Sequence, residues 1–346
     1  MTTDLTGTGR ARWHASVPDE PVAIAMGNAT AVVVGAEGTV LALDWRSGDE
    51  IGRIRIEEGL LHADVSPSGE QVAVTGPFGA WLWRIGREEP RHLVKGAWCA
   101  VARWVTEERL AIASGRHVDV FDESGQLLWH SDQFPSTVTD LTWLGGRHRI
   151  AVAAYGGVHI VEPRKGGNVV FKPFTGSLLA ICSSPNGRWI VSGNQDATLQ
   201  VFRSDKETRL EMEGYPFKIR RVAFDGSGRY LANDGAPEVS VWDFGGPGPE
   251  GRAPVLLVSD AGDEADAIGC FAWNPSEALL AVGWESGLCH TYVVQDGVPA
   301  KQKRPNSLVS ESDASVACLA WAPDATGLCI ADASGAVTML EVEPAS

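Results

Sequence analysis

The chain has 346 residues, of which 44% are hydrophobic, and its formal net charge is −15. This composition can build a globular core, but it lacks the basic surface that nucleic-acid binding requires, so we expect no nucleic-acid partner. No apolar run approaches the ~20 residues of a membrane-spanning helix, and residues 1–16 lack the apolar stretch of a signal peptide. We therefore predict no membrane partner.

The cysteines are scattered through apolar, strand-like runs, and none of them forms a Cys-x-x-Cys pair. This pattern suits free buried thiols better than a disulfide framework, which favours a reducing compartment. We expect a cytoplasmic protein. The six cysteines are Cys99, Cys182, Cys270, Cys289, Cys318 and Cys329.

A short unit recurs along the chain, and residues 183–205, SSPNGRWIVSGNQDATLQVFRSD, show it most clearly. A turn at 185–187 precedes an apolar strand at 189–191, and a second turn at 194–196 precedes a strand that ends at Phe202. The residue equivalent to Phe202 recurs at separations of 40, 38, 40, 41, 40, 50 and 48 residues. In chain order, the eight equivalent residues are Leu43, Trp83, Phe121, Val161, Phe202, Trp242, Tyr292 and Leu340.

Each unit also contains a first strand that ends near a turn and, in most units, a more polar fourth strand such as residues 50–56 or 209–214. Four strands per roughly 40 residues, repeated in this way, predict a β-propeller. We predict an all-β chain that forms one domain over residues 1–346, with eight four-stranded antiparallel blades. The blades are expected to start near residues 22, 60, 98, 137, 178, 219, 268 and 316.

The eighth unit supplies only three strands, which would leave an unpaired edge. Residues 9–18, GRARWHASVP, precede the first full unit and have no partner of their own. We predict that they form the fourth strand of the last blade and close the ring. A seven-bladed ring with one irregular unit is the alternative.

The units resemble WD40 repeats over residues 9–344, and SVWDFG at 240–245 contains the Trp242-Asp243 pair after which that family is named. The family's Gly-His dipeptide before each first strand is absent, so the resemblance is a divergent one. It implies a propeller that binds partner peptides on one face. The function that follows is a non-catalytic interaction scaffold, expected to be a monomer on its own, and the acidic chain favours a basic partner segment.

Three segments are longer than the repeat requires, namely residues 245–254, 259–267 and 295–315. They are rich in Gly, Pro, Ser and charged residues, and we predict that they are surface loops beside blades six and seven.

Two short motifs known from enzymes occur in the sequence, but each lacks the surrounding elements that its chemistry requires. Residues 246–251, GPGPEG, fit the G-x-G-x-x-G pattern but contain two prolines and open no helix. Residues 243–245 spell the kinase Asp-Phe-Gly tripeptide without the rest of the kinase set. We therefore predict neither an enzyme nor a cofactor.

One alternative function arises from the first strands, which line the central channel of a propeller. Four of the equivalent positions hold residue types that bind zinc, which allows a metal-handling or catalytic channel. Buried structural cysteines explain the same pattern without a metal. The four residues are His62, Asp140, Cys270 and Cys318.

The turns between second and third strands, together with the segments before first strands, carry a second candidate set. Aromatic and arginine side chains on one surface are typical anchors of a binding patch. The predicted partner-binding residues on this face are Phe78, Trp98, Arg116, Tyr155, Gln195, Lys218 and Trp284.

Overall fold

The fold is a ring of eight β-sheets. A computed structural model describes residues 9–145, 148–259, 266–294 and 302–342. The first strand of each sheet contacts the first strands of the sheets on either side, and the eighth contacts the first, so the ring is closed. Within these ranges no helix has the length and apolar character needed to cross a membrane.

Strand β1 (Arg10–Ser16) precedes four blades that follow one another in chain order. A single 3-10 turn, Pro163–Lys165, lies within the fourth of them. The strands are β2 (Pro21–Met26), β3 (Thr30–Gly35), β4 (Thr39–Asp44) and β5 (Glu50–Arg55) in blade one; β6 (His62–Val65), β7 (Gln71–Gly76), β8 (Gly79–Arg84) and β9 (Arg91–Lys95) in blade two; β10 (Cys99–Thr106), β11 (Arg109–Ser114), β12 (His117–Phe121) and β13 (Leu127–His130) in blade three; and β14 (Asp140–Trp143), β15 (Ile150–Ala154), β16 (Gly157–Glu162) and β17 (Gly167–Pro173) in blade four.

The other four blades complete the ring. Their strands are β18 (Leu178–Ser183), β19 (Trp189–Asn194), β20 (Leu199–Arg203) and β21 (Arg209–Met212) in blade five; β22 (Val222–Phe224), β23 (Tyr230–Asn233), β24 (Val239–Asp243) and β25 (Val255–Leu257) in blade six, with the added β29 (Gln302–Lys303); β26 (Ile268–Trp273), β27 (Leu279–Trp284), β28 (Leu288–Val293) and β30 (Ser307–Glu311) in blade seven; and β31 (Val316–Trp321), β32 (Gly327–Asp332) and β33 (Ala336–Glu341) in blade eight, which β1 joins.

The second strands are buried on both faces, which explains their continuous apolar runs. On β3, Val32 and Val34 pack against blade two, whereas Ala31 and Val33 pack against blade eight. Side chains alternate between the two faces of a strand, so a strand between two blades is mostly apolar on both faces. The outer strand β5 is mostly exposed and is correspondingly polar.

Hydrogen bonds between neighbouring first strands reinforce this packing. The indole N–H of Trp321 donates to the Ala272 carbonyl of the preceding blade at 2.9 Å. Trp273 donates to the Ala223 carbonyl in the same way at 3.0 Å. Each bond satisfies the indole N–H, which is the one polar group of a tryptophan side chain. The indole ring itself packs at the interface between the two blades.

The ring closes as the sequence predicts. Strand β1 pairs antiparallel with β33, from Arg10 opposite Glu341 to Ser16 opposite Ala336. The ring of Trp13 is buried, and its N–H donates to the Trp45 carbonyl of blade one at 2.9 Å. The prediction of eight blades, with the last completed by the N-terminal strand, is confirmed, and the seven-bladed alternative is wrong.

Blade six departs from the predicted four strands. The two-residue strand β29 comes from the segment that follows the third strand of blade seven, and it pairs parallel to β25. Of the three expanded segments, residues 245–254 are held by an ion pair of 2.9 Å between Arg252 and Asp243. Residues 260–265 and 295–301 of the other two lie outside the described residues.

Tight packing between turns and neighbouring strand ends requires glycine at particular positions. Gly38, in the turn before β4, has a φ of 111°, and a Cβ atom there would lie 1.7 Å from the Ile56 carbonyl oxygen. Gly287, before β28, has a φ of 91°, and its Cβ would lie 1.9 Å from the Ser312 carbonyl oxygen. In both blades the turn contacts the chain just after the outer strand, and only glycine permits that approach.

Candidate interaction face

One end of the ring collects the turns between second and third strands and the connections between successive blades. Because the strands of a blade are antiparallel, both kinds of segment emerge at the same end. We call this surface the top face. It comprises residues 17–20, 36–38, 56–61, 77–78, 96–98, 115–116, 131–139, 155–156, 174–177, 195–198, 213–221, 234–238, 258–259, 266–267, 285–287, 312–315 and 333–335.

Six of the seven predicted partner-binding residues are exposed on the top face. Phe78, Trp98 and Tyr155 are 60%, 47% and 55% exposed, which is unusual for large aromatic side chains. The other three are polar or cationic. They are Arg116, Gln195 and Lys218.

Trp284 is placed differently from the prediction. It is the last residue of β27 rather than a turn residue, and its side chain is fully buried among Val282 and Tyr292. Glu285 holds the exposed turn position instead. The prediction of Trp284 as a surface anchor is therefore wrong. Comparison of the repeat units placed Trp284 in the turn after the second strand, whereas it is the last residue of that strand.

Phe217 is an exposed aromatic residue that the sequence did not single out. Its ring is 53% exposed in the connection between blades five and six. Among the described residues, the other exposed aromatic side chains are Phe78, Trp98, Tyr155 and Phe171, and Phe171 alone lies on an outer strand. Four of these five aromatic residues therefore lie on the top face.

A pocket of about 490 Å³ opens on the top face where blades five, six and seven meet. It includes two of the predicted residues, Gln195 and Lys218. We call it the blade-six pocket. It is lined by Gln195, Pro216, Phe217, Lys218, Arg220, Arg221, Asp234, Ala236, Pro237, Ala267 and Ile268.

Two anchors fix the wall of the blade-six pocket and turn the side chains between them outward. The Tyr215 hydroxyl accepts a hydrogen bond from the Trp242 indole at 2.7 Å. Ile219 is fully buried, and its N–H donates to the Asn194 carbonyl at 3.1 Å. The residues between and just after these anchors, among them Phe217, are held at the surface.

Asp234 organises the cationic side of the pocket from below. Its Oδ1 accepts the backbone N–H groups of Arg220 and Arg221, each at 2.9 Å, and its Oδ2 lies 3.5 Å from the Arg221 guanidinium. Burial raises the pKa of Asp234, and the two backbone bonds and the charge of Arg221 oppose that shift. One carboxylate thus fixes the backbone from which two exposed arginine side chains project.

The channel candidates fall into two separate groups. His62 contacts Arg103, whose guanidinium lies 3.6 Å from Asp140. Burial and the charge of Arg103 hold the pKa of His62 well below its usual range. A metal ion at this place would have to approach a fixed guanidinium, which is unfavourable.

Cys270 and Cys318 form the other group, on neighbouring blades. The Cys270 thiol donates to the Val316 carbonyl at 3.7 Å, and the Cys318 thiol donates to the Pro21 carbonyl at 3.6 Å. Burial raises the pKa of Cys318 to about 12 and that of Cys270 well above its usual value. In the described part of the chain, no three His, Cys, Asp or Glu side chains are grouped so that they could hold a metal ion.

Asp64 gives the channel wall a testable pH dependence. Its carboxylate accepts the backbone N–H of Trp104 at 2.7 Å and that of Val65 at 3.0 Å, and burial raises its pKa to about 6, a shift that Arg103 partly opposes. A folded-state pKa above the unfolded value of about 3.9 means that the stability contributed by protonated Asp64 is present below pH ~4 and lost as the pH rises through about 6.

We expect the free energy of unfolding of the wild type, relative to Asp64→Asn, to fall by about 2 kcal/mol between pH 4 and pH 7.5. Urea unfolding of both proteins across this range measures the difference. Asp132→Asn, at an exposed carboxylate, is the control for the removal of one negative charge. Parallel stability curves for the wild type and Asp64→Asn would contradict the raised pKa.

Comparison with known proteins agrees with this architecture. The family model described as "WD domain, G-beta repeat" matches residues 168–203. This range joins the outer strand of blade four to the first three strands of blade five, so the repeat straddles two blades. A comparison with curated protein sequences gives no significant match.

Solved propeller structures superpose over nearly the whole chain. A computationally designed protein, Ika8, is 18% identical, with a TM-score of 0.73 over 94% of this chain and 98% of that one. A chain of a Mitotic Checkpoint Complex structure is 14% identical, with a TM-score of 0.64 over 99% of both chains. Likeness at these identities shows the fold alone. The chain therefore contains a match to the WD40 repeat at 168–203 within a closed ring of eight four-stranded blades, and in both respects it resembles the WD40-repeat β-propellers.

Proposed function

We propose that this protein is a non-catalytic scaffold that binds a protein or peptide partner through its top face. The observation that carries the proposal is the exposure of Phe78, Trp98, Tyr155 and Phe217 on that face. Exposed aromatic side chains on a rigid surface are typical of binding anchors, since they bury much area at a small cost in side-chain entropy.

The ring supplies the rigidity that such a surface needs. The Phe78 carbonyl accepts the Gly96 N–H at 2.8 Å, and the Phe217 N–H donates to the Gly235 carbonyl at 3.1 Å. Hydrogen bonds of this kind tie the turns to the neighbouring connections, so a partner does not have to order loose loops when it binds. The cysteines are free thiols in the folded chain, which supports our proposal of a reducing, cytoplasmic location.

The proposal can be tested with random twelve-residue peptides displayed on phage and selected on the wild-type protein. We expect synthetic copies of the selected peptides to bind at least ten-fold more weakly to a variant with alanine at the four top-face aromatic positions, as measured by fluorescence anisotropy. Each aromatic anchor contributes on the order of 1 kcal/mol or more, so losing four exceeds this threshold.

The matched control replaces exposed apolar residues of outer strands, Leu127, Leu128 and Phe171, by alanine. It should bind the peptides as the wild type does. Thermal unfolding of both variants shows whether the fold is kept, which we expect because the replaced side chains are exposed. Selected peptides that lose affinity for the outer-strand variant, and not for the top-face variant, would contradict the proposal.

A further inference from the structure

We propose that the blade-six pocket binds a carboxylate side chain of the partner peptide beside an apolar one. This inference rests on the proposed function, since it takes the top face as the binding surface. It goes further by naming the chemistry of one bound side chain. The net charge of −15 by itself favours a basic partner, whereas the cationic pocket favours an acidic side chain.

The pocket lining has more cationic than acidic side chains among its described residues. Lys218, Arg220 and Arg221 all line the pocket, and all are exposed. Asp234 pairs with Arg221 and is the one acidic residue among the described residues of the lining. Within the described ranges, the side chains of Lys218 and Arg220 form no ion pair with a carboxylate, so two cationic side chains are available to a ligand.

The nearest acidic side chain along the adjoining connection is already engaged elsewhere. Asp266 accepts the backbone N–H of Ser286 at 3.0 Å and also the Ser286 hydroxyl. Its Oδ2 also accepts the Ser259 hydroxyl at 3.2 Å, and within the described residues Asp266 forms no ion pair with the cations of the pocket lining.

Apart from Gln195, the remaining described lining is apolar. Phe217 stands 53% exposed beside the cationic residues, and Pro237 and Ile268 contribute on the side of blades six and seven. The volume of about 490 Å³ lies in the range of roughly 300–1,000 Å³ that is usual for ligand pockets. A short segment with an acidic and an apolar side chain would match both parts of this lining.

The negative net charge of the chain and the positive charge of the pocket lining act in opposite directions on a bound side chain. The distance over which each acts decides which of them dominates. At physiological salt, interactions between exposed charges are screened beyond about 8 Å, so distant acidic residues act weakly on a bound side chain. A carboxylate in the pocket can form ion pairs with Lys218 and Arg220, which both line it, and charge-assisted hydrogen bonds of this kind are the stronger ones. A basic side chain in the same place would face unpaired cations.

The pocket favours a carboxylate over a phosphoryl group. The Asp234 carboxylate belongs to the lining and lies beside Arg221, so a dianion at that arginine would meet a like charge. A single carboxylate at Lys218 and Arg220 can pair with both cations and brings one negative charge, rather than two, near Asp234.

The experiment uses the same displayed library of random twelve-residue peptides. Selection on the wild type should enrich sequences in which Asp or Glu stands next to an apolar residue. A synthetic selected peptide should bind Arg220→Glu at least ten-fold more weakly than the wild type. Arg87→Glu makes the same charge change at an exposed residue on the opposite face, and it should leave binding unchanged.

A double-mutant cycle then tests the pairing directly. Replacing the acidic residue of the peptide by Gln should weaken binding to the wild type, with little further loss on Arg220→Gln. This milder variant also serves if Arg220→Glu does not fold. A phosphoserine in place of the acidic residue that bound ten-fold more tightly would overturn the assignment to a carboxylate.

The outcomes separate this inference from the proposed function. Peptides that depend on the four top-face aromatic residues but are indifferent to Arg220→Glu and Arg220→Gln would overturn the acid-binding pocket and leave the top-face scaffold standing. A library that yields no peptide dependent on either set would overturn both.

Discussion

Deletion of residues 1–18 is expected to lower the free energy of unfolding by more than about 4 kcal/mol, and to make the protein prone to aggregation. The deletion removes β1, so β33 loses its partner strand and becomes an open edge. It also removes the buried Trp13 and Val17, together with the hydrogen bond between the Val17 N–H and the Gly335 carbonyl at 2.9 Å. Urea or thermal unfolding measures the loss.

Two further proteins make this experiment specific to ring closure. A chain that lacks only residues 1–8 keeps all of β1, so comparison with it isolates the effect of removing residues 9–18. Trp13→Ala keeps the backbone pairing but removes a buried ring, and we expect a loss of about 3–5 kcal/mol. A chain without residues 1–18 that unfolds like the full chain would show that β1 does not hold the ring together.

Gly38→Ala is expected to cost about 3 kcal/mol, a large effect for the addition of one methyl group. The added Cβ would be placed 1.7 Å from the Ile56 carbonyl oxygen, at a φ of 111° that side chains rarely adopt. Relieving the contact moves the turn away from the end of β5 and strains the hydrogen bond of 2.9 Å from the Ile56 N–H to the Gly38 carbonyl.

Gly115→Ala is the matched comparison, because it separates the backbone conformation from the contact. Gly115 also has a positive φ, of 57°, and lies in the equivalent turn of blade three, but its Cβ would meet no atom within 4 Å. We expect a cost of about 1 kcal/mol there. Equal losses in chemical denaturation at the two positions would show that the close contact in blade one contributes nothing.

The sequence determined the architecture well because each blade must satisfy the same physical requirements. A second strand between two blades has to bury both of its faces, as Val32, Val33 and Val34 do, and such mostly apolar runs recur at nearly constant spacing. The closing strand followed from the need to pair the edge of β33. Strand β29 could not be foreseen, since two residues leave no periodicity to detect.

The candidate site was only partly predictable from the sequence. The sequence does not show where each strand ends, and the net charge does not show where the charges lie. Whether an aromatic residue is exposed depends on where its strand ends, and a shift of one residue buried Trp284 instead of exposing it. Phe217 lies between Tyr215 and Ile219, whose hydrogen bonds to Trp242 and Asn194, residues distant in sequence, set the course of the connection. The net charge of −15 concealed the cluster at Lys218 and Arg220, because a sum over the chain discards location.

The parallel pairing of β25 with β29 also bears on how the protein opens locally. The outer strand of a blade is the usual place for amide hydrogens to exchange first with solvent. Here the N–H of Val258, just after β25, donates to the Lys303 carbonyl at 3.0 Å, and the Tyr292 hydroxyl of blade seven donates to the Val258 carbonyl at 2.7 Å. Fraying of this edge therefore breaks bonds to blade seven, so blades six and seven should exchange their amide hydrogens as a single cooperative unit.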